Sequence, residues 1–420
     1  MSAPDAFVSL VLDGQRTLVG RLWITATPRH QRATFTYDDV WLHHPNRFAL
    51  EPALSLGPDP YYTADRQVLF GALGDSAPDR WGRTLLARAE RQRAAAAGQA
   101  PRALWGLDYL LGVADATRMG ALRFHKTEEG PFAAHGGTAI PPLVALPQLL
   151  AASDRLDATT ATDDDVRLLL APGSSLGGAR PKASVLDADG TLAIAKFPAP
   201  SDPRPVVAWE AVCLTLARAA GVPVPPHRLV TVAGRDVLLL RRFDRVGGAP
   251  DGIRLPYLST MSLLGARDGE RRSYVEIAEA LRQWSAAAAA DLADLWRRVV
   301  FTVLVSNTDD HLRNHGVLCH GTDGWRLGPA FDLNPVSPSV APRLLATPIL
   351  ADGDPTAALP LAFEFAQDCG LKAADARAIA REVGIAVAAW RRVAQRVGLG
   401  PAEQAAMADA FEHADLAAAI

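Results

Sequence analysis

The segment Ser306-Asn307-Thr308-Asp309-Asp310-His311-Leu312-Arg313-Asn314 constrains this 420-residue chain more than any other. It follows the apolar run Val299-Val300-Phe301-Thr302-Val303-Leu304-Val305, which reads as a helix. Asp309 and Asn314 are separated by four residues within it. A carboxylate can orient an acceptor hydroxyl and take its proton, and a carboxamide oxygen a short loop later can ligate magnesium. Spacing alone is weak, because a capped helix end with polar turn residues supplies it too. The sequel narrows the choice. His315-Gly316-Val317-Leu318-Cys319 predicts a strand, Thr322-Asp323-Gly324 a turn, and Trp325-Arg326-Leu327 the return. Pro329-Ala330-Phe331-Asp332-Leu333 then sets an acid where the hairpin ends, suited to the same metal ion.

The order of base, asparagine, hairpin and acid is that of a protein-kinase catalytic region. Upstream, Gly173-Ser174-Ser175-Leu176-Gly177-Gly178-Ala179-Arg180-Pro181-Lys182 is a glycine-rich turn whose backbone N–H groups can cradle phosphates. It is not a Walker A loop, since Ala179 stands where that motif needs lysine; a plain loop with an exposed Lys182 is the bland alternative. Lys196 sits among apolar neighbours in the second strand of the hairpin that follows. An inward lysine needs an acidic partner, and Glu210, early in the next helix, is the candidate; a solvated edge lysine is the alternative. Arg241-Arg242-Phe243-Asp244-Arg245 follows the fourth strand of this part, where a hinge would hold an adenine mainly through backbone groups, with Phe243 as packing.

The remaining pattern predicts an α+β chain. Phe7–Leu12 and Leu18–Ile24 form a hairpin about Asp13-Gly14, and Ala33–Tyr37 is a third strand ending in a turn at Asp38-Asp39. A helix begins near Ser76-Ala77-Pro78-Asp79, with Ser76 as cap, and runs to about Ala97; its five arginines, Arg80, Arg83, Arg88, Arg91 and Arg93, read as a solvated face or a partner-binding one. Residues 127–147 lack periodicity and read as a connection. Strands Ala183–Leu186 and Thr191–Phe197, a helix Val206–Ala220 closed by Gly221, strands Arg228–Val232 and Val237–Leu240, and helices over 274–283 and 287–305 follow. This order of small sheet, single helix and helical mass resembles a two-lobed kinase. The divisions expected are 1–125, an N-terminal β-rich subdomain; 126–165, a connecting segment; 166–245, a nucleotide-binding small lobe; and 246–420, a helical lobe.

Composition excludes several classes. Lys and Arg number 43 against 46 Asp and Glu, a net charge of −3, which argues against wrapping nucleic acid with its own basic surface. Hydrophobic residues make up 49%, so disorder does not describe the bulk. No apolar run reaches membrane-span length, and the N-terminus lacks a signal-peptide pattern. Cys213, Cys319 and Cys369 are odd in number and form no CxxC pair, which speaks against a zinc ribbon or a disulfide framework and for the cytoplasm.

These motifs resemble those of HipA, the serine/threonine kinase toxin of bacterial type II toxin–antitoxin systems. The likeness rests on Ser174–Lys182, Lys196-Phe197-Pro198, Arg242-Phe243-Asp244-Arg245, Thr308–Asn314 and Phe331-Asp332. Pro78-Asp79-Arg80-Trp81-Gly82-Arg83 and Arg118-Met119-Gly120-Ala121-Leu122 extend it to nearly the whole chain. The resemblance implies Asp309 as catalytic aspartate and Asn314 and Asp332 as Mg2+ ligands. It implies ATP held by Gly177, Gly178, Ala179, Arg180, Pro181, Lys182, Lys196, Glu210, Arg241, Arg242, Phe243, His311, Asn314 and Asp332. Self-phosphorylation of Ser175, with Ser174 second, would eject the loop and switch the enzyme off. It also implies a HipB-like helix-turn-helix antitoxin that carries most DNA contact, and an aminoacyl-tRNA synthetase, glutamyl-tRNA synthetase in the best-known member, as substrate. Three positions depart from the pattern: Asp310 replaces a glycine and would add charge beside the site, bearing on substrate choice; Arg241 and Pro181 replace acidic residues. A kinase of the same fold with a non-toxic substrate, and a catalytically silent module bridging antitoxin and DNA, are the alternatives.

Overall fold

Asp13 and Gly14, both at positive φ (50° and 77°), turn β1 (Ala6–Leu12) into β2 (Gln15–Ala26). This is the backbone that a two-residue hairpin loop requires. The computed structural model describes residues 3–26, 31–65, 67–134, 140–170, 178, 180–248, 252–321 and 324–420. β3 (Gln31–Tyr37), β4 (Tyr61–Tyr62) and β5 (Arg123–His125) complete a five-stranded sheet ordered β4-β3-β2-β1-β5. Asp38, expected in a turn, instead caps α1 (Asp39–Leu42) by accepting the Val40 N–H. α2 (Gly71–Asp75), α3 (Arg80–Ala96) and α4 (Gly106–Gly112) lie between β4 and β5. The cap of α3 is Asp79, which accepts the Gly82 N–H at 2.8 Å, and not Ser76, which ends α2. Pro78 explains the difference: it disfavours helical geometry at Ala77, so the chain breaks there and restarts one residue beyond the proline.

The stretch expected as a connection leads into α5 (Leu146–Asp157), followed by α6 (Asp163–Leu170). Next come β6 (Lys182–Leu186), β7 (Leu192–Lys196), α7 (Val206–Ala219), β8 (His227–Val232) and β9 (Arg235–Arg241), with an antiparallel sheet ordered β6-β7-β9-β8. This sheet is covered on both faces. Val237 and Leu239 of β9 share a core with Leu149 and Leu150 of α5 and Leu169 of α6, joined by Trp81 and Leu85 of α3. Leu238 and Leu240 join the core that includes α7. The strand's period of two sends alternate side chains to the two layers, so even the pre-sheet segment has to supply a helix.

The large lobe begins after a two-residue ribbon of β10 (Arg245–Val246) and β11 (Ile253–Arg254). β12 (Tyr257–Ser259), β13 (Gly316–Cys319) and β14 (Trp325–Leu327) form a small sheet, and α8 (Thr260–Leu263) follows β12. α9 (Tyr274–Trp284) and α10 (Ala288–Leu304) lead into the polar segment, and α11 (Leu359–Phe365), α12 (Ala373–Ala388), α13 (Trp390–Val397), α14 (Pro401–Met407) and α15 (Ala414–Ala419) pack behind it. Leu295, Trp296, Val299, Val300 and Val303 of α10 are wholly buried. The fold is α+β and kinase-like: a small β-rich lobe, a helical lobe and an N-terminal β-rich unit. Among the described residues no helix is long and apolar enough to cross a membrane.

A buried ion network locks the N-terminal unit to the lobes. The Arg242 guanidinium pairs with Asp244 (2.6 Å) and donates to the Thr117 and Arg118 carbonyls (2.9 and 3.1 Å). Asp244 also accepts the Gly120 N–H at 2.8 Å and an ion pair from Arg245. The Arg242 guanidinium, expected at the nucleotide, is thus committed to this network, while the residue itself lines the cleft. Burial raises the Asp244 carboxyl, but Arg242 and Arg245 outweigh it and hold it down to about 2. Burial lowers Arg245 to about 9, because neighbouring Arg242 and Arg254 offset part of the help from Asp244. Removing the carboxylate strands two guanidiniums in the interior, so Asp244→Asn is expected to destabilise the fold by roughly 3–5 kcal/mol. Denaturant midpoints measure it. A depressed carboxyl contributes stability above its unfolded value of about 4 and loses it as pH falls toward 2, so the gap to wild type should narrow in that window.

Candidate active site

Lys196 ends β7, where that strand's last residue meets the first turns of α7. Its ammonium lies 2.6 Å from Glu210 Oε1 and also contacts Asp332 Oδ1. Burial would lower the Lys196 pKa, but the Asp332 and Glu210 carboxylates reverse this and raise it above the ordinary lysine value. For Glu210 burial wins, and its carboxyl is pushed up despite Lys196. Asp332 is pulled down, against burial, by Lys196 and Lys182. Asp332 adopts φ +60°, a left-handed conformation that aspartate tolerates better than most residues.

Asp309 and Asn314 come from the loop after α10. Asp309 is exposed, yet partial desolvation and the nearby Asp332 and Asp310 carboxylates raise its pKa, with His311 opposing. Asn314 is 4% exposed; its Nδ2 donates to the Asp309 carbonyl at 3.2 Å, and its buried Oδ1 has no partner among the described residues. Half-buried His311 is close enough to both Asp309 and Asp332 to pull their pKa values down. Asp310 is a buried neighbour whose charge still reaches Asp309. It is 1% exposed and turned inward, accepting from the Tyr274 hydroxyl, from Thr302 at 3.2 Å and from His315 at 3.1 Å. Those donors override burial and hold its carboxyl below the ordinary value.

A narrow cleft with about 410 Å³ of empty space, counted out to its open mouth, lies between the lobes. Ile194, Leu240, Pro225, Phe243 and Phe331 form its apolar part, and Lys182, Lys196 and Asp332 its charged end. Phe243 stacks on Phe331 with ring centroids 5.5 Å apart. Exposed Arg241 lines the rim, and Arg242 borders the cleft although its guanidinium is occupied elsewhere. Arg180 is tied to Asp202 at 2.7 Å, and the Pro181 carbonyl accepts the Phe197 N–H at 3.0 Å. Gly178 has φ +114°, and a Cβ there would stand 3.0 Å from Lys182 Nζ and 3.8 Å from Asp332 Oδ2. Lys182 is not an exposed lysine: it is 2% exposed and paired with Asp79 at 2.8 Å. Ser174, Ser175, Gly177 and Ala179 lie outside the described residues.

Sequence reasoning missed Asp79 as a neighbour of the site, although it sits in the quoted run Pro78–Arg83. It also missed Tyr274 and His315 as the partners of Asp310; a second acid directly after Asp309 was the available signal that one of the pair turns inward. Among the described residues no three His, Cys, Asp or Glu side chains cluster as a metal cage. The orphaned Asn314 Oδ1 and the Asp332 carboxylate suit a smaller demand. Mg2+ takes few protein oxygens and fills its shell with water and phosphate.

The fold that holds this apolar slot, with its lysine clamped between carboxylates, is kinase-like. The HipA-like C-terminal domain model matches residues 174–390 and the HipA N-terminal domain model residues 11–107. The chain belongs to the HipA family. It is 26% identical over 357 residues to a Sinorhizobium fredii protein named "Putative kinase Y4mE", covering 78% of this chain and 79% of that one. A "Putative kinase" of Haemophilus influenzae is 28% identical over 173 residues, 37% of this chain and 49% of its own. Among solved structures, HipA in the Shewanella oneidensis complex of HipA, HipB and operator DNA matches with a TM-score of 0.69, over 98% of this chain and 96% of that one, at 16% identity.

The inward Asp310 carries a prediction. Asp310→Ala removes the acceptor of three buried donors and is expected to lower stability by roughly 2–4 kcal/mol, while the ranking of substrates stays unchanged. Chemical denaturation of the variant checks the first part, and competition between two substrates the second.

Proposed function

We propose that this protein is a Mg-ATP-dependent serine/threonine protein kinase of the HipA type. The observation that carries the reading is the convergence of Lys196, Glu210 and Asp332 at the charged end of an apolar cleft, with Asp309, on the loop after α10, near enough to Asp332 to feel its charge. In this reading the adenine occupies the slot of Ile194, Leu240, Phe243 and Phe331, and Lys196 holds phosphate oxygens. Asn314 and Asp332 would hold Mg2+, which supplies charge neutralisation of the phosphates. Asp309 orients the acceptor hydroxyl. The hydroxyl oxygen forms a bond to the γ-phosphorus as the bond to the bridging oxygen breaks; ADP departs with that electron pair, and the hydroxyl proton passes to Asp309.

We extend the proposal to biology on the strength of the family. The enzyme acts in the cytoplasm as the toxin of a toxin–antitoxin pair, held by a HipB-like helix-turn-helix partner that makes most of the DNA contact. The substrate is an aminoacyl-tRNA synthetase, with glutamyl-tRNA synthetase the first to test. Transfer to Ser175, or to Ser174, places a dianion on a loop built for nucleotide phosphates and thereby repels ATP.

Three experiments test this. Intact mass after Mg-ATP should rise by one or more phosphates in wild type and not in Asp309→Ala; equal masses for the two would remove Asp309 from the chemistry. Because Asp309 is raised, the acid limb of kcat/KM should lie above the pKa of about 4 of a free aspartate, with activity lost on protonation. Ser175→Ala should abolish self-phosphorylation and preserve transfer to a substrate for longer, and peptide mapping decides whether Ser174 substitutes.

A further inference from the structure

We propose that Asp79, from the N-terminal unit, is a positioning residue of the nucleotide site, holding the Lys182 ammonium where the glycine-rich loop meets the charged end of the cleft. The inference rests on the phosphotransfer reading above and adds to it a residue outside both lobes.

Lys182 opens β6, the edge strand of the small-lobe sheet, and among the described residues no strand of that sheet lies on its outer side. One turn of α3 fixes its place. Asp79 Oδ2 takes the ammonium at 2.8 Å, and Trp81 Nε1 donates to the Lys182 carbonyl at 3.1 Å. Asp79 cannot follow a wandering lysine, because its other oxygen caps α3 through the Gly82 N–H at 2.8 Å. Both side chains of the pair are 3% exposed. The held ammonium lies against Gly178, within 4 Å of the same point as the Asp332 carboxylate.

Two other carboxylates compete for it. Lys182 contributes to the electrostatics of both Glu210 and Asp332. An ammonium this buried is poorly served by water, so without Asp79 it is drawn toward these carboxylates. Either choice spoils the site. Pairing with Asp332 consumes a proposed metal ligand, and pairing with Glu210 loosens the clamp on Lys196. Asp79 thus keeps one cation available to phosphate and two carboxylates free for their own tasks.

The test uses the full chain. Asp79→Asn is expected to raise the KM for ATP and the Kd of a fluorescent ATP analogue with Mg2+ by roughly ten- to hundredfold, with kcat falling far less. Asp79→Glu keeps the charge one methylene out of place, and its KM should fall between the two. Asp291→Asn, which breaks the ion pair of buried Asp291 with partly exposed Arg326, serves as a stability control with an unchanged KM. If Asp79→Asn lowers the melting temperature but leaves KM and Kd at the Asp291→Asn values, Asp79 is only a strut and the inference fails. Should Asp79→Asn not fold, Asp79→Glu decides alone: a wild-type KM overturns the inference. A wild-type protein that binds no nucleotide overturns the phosphotransfer reading, and this inference with it.

Discussion

The Lys196 ammonium, shared between Glu210 and Asp332, is the interaction on which the cleft depends. It joins β7, α7 and the segment after β14, so one cation fixes three elements from both lobes. The surrounding charge is unbalanced. Glu210, Asp332 and Asp79 surround Lys196 and Lys182, leaving excess negative charge in a poorly solvated place. Burial is the main cause that raises the Glu210 and Asp79 carboxyls, and the Asp332 charge adds to it. A cluster of this sign is an attractive setting for a divalent cation and, once the cation is present, for phosphate.

The N-terminal unit is not an appendage to this machinery. Polar joints tie it to the lobes, beside apolar contacts such as that of Phe48 with Trp325. Asp79 and Trp81 hold Lys182; the stretch Thr117–Gly120 embraces Arg242, Asp244 and Arg245; and Asp75 accepts from the backbone and hydroxyl of Ser259 in β12. The Asp75 contact leads toward the polar loop, because the next residue after Ser259, Thr260, donates to the Leu312 carbonyl at 2.6 Å and to that of His315 at 2.9 Å. The arginine-rich network is stable despite its excess of cations because backbone carbonyls of Ser76, Val113, Thr117, Arg118 and Gly120 accept from guanidiniums of Arg118, Arg242 and Arg245. Carbonyl dipoles there do part of what further carboxylates would otherwise do. Both N-terminal motifs that carry the family likeness, Pro78–Arg83 and Arg118–Leu122, thus lie at these joints.

Legibility in the sequence followed the range of each interaction. The Asp13-Gly14 hairpin, the Gly221 helix end and the β13–β14 strands were readable because local chemistry decides them: positive-φ residues, period-two patterning and short connections. The cap of α3 was misplaced by three residues because Ser76 and Asp79 are both good caps and only the proline between them distinguishes their roles. Residues 126–165 read as a connection, yet α5 begins within them, because the demand for cover on the sheet's second face comes from strands that follow in the chain.

The sequence by itself determined the kinase-like order of elements and the family, since both rest on spacing along the chain. Only the tertiary structure decided which way individual side chains turn. Asp309 and Asp310 are adjacent and chemically identical, yet one is exposed and the other is buried under Tyr274 and His315. Lys182 and Arg242 read alike as basic residues flanking a nucleotide, yet one lies at the charged end of the cleft and the guanidinium of the other is committed to the buried network. Direction is set by partners at Asp79 and Thr117–Gly120, more than a hundred residues distant in the chain. Burial makes those partners obligatory, because a charge removed from water must find its counterpart wherever the fold has placed it.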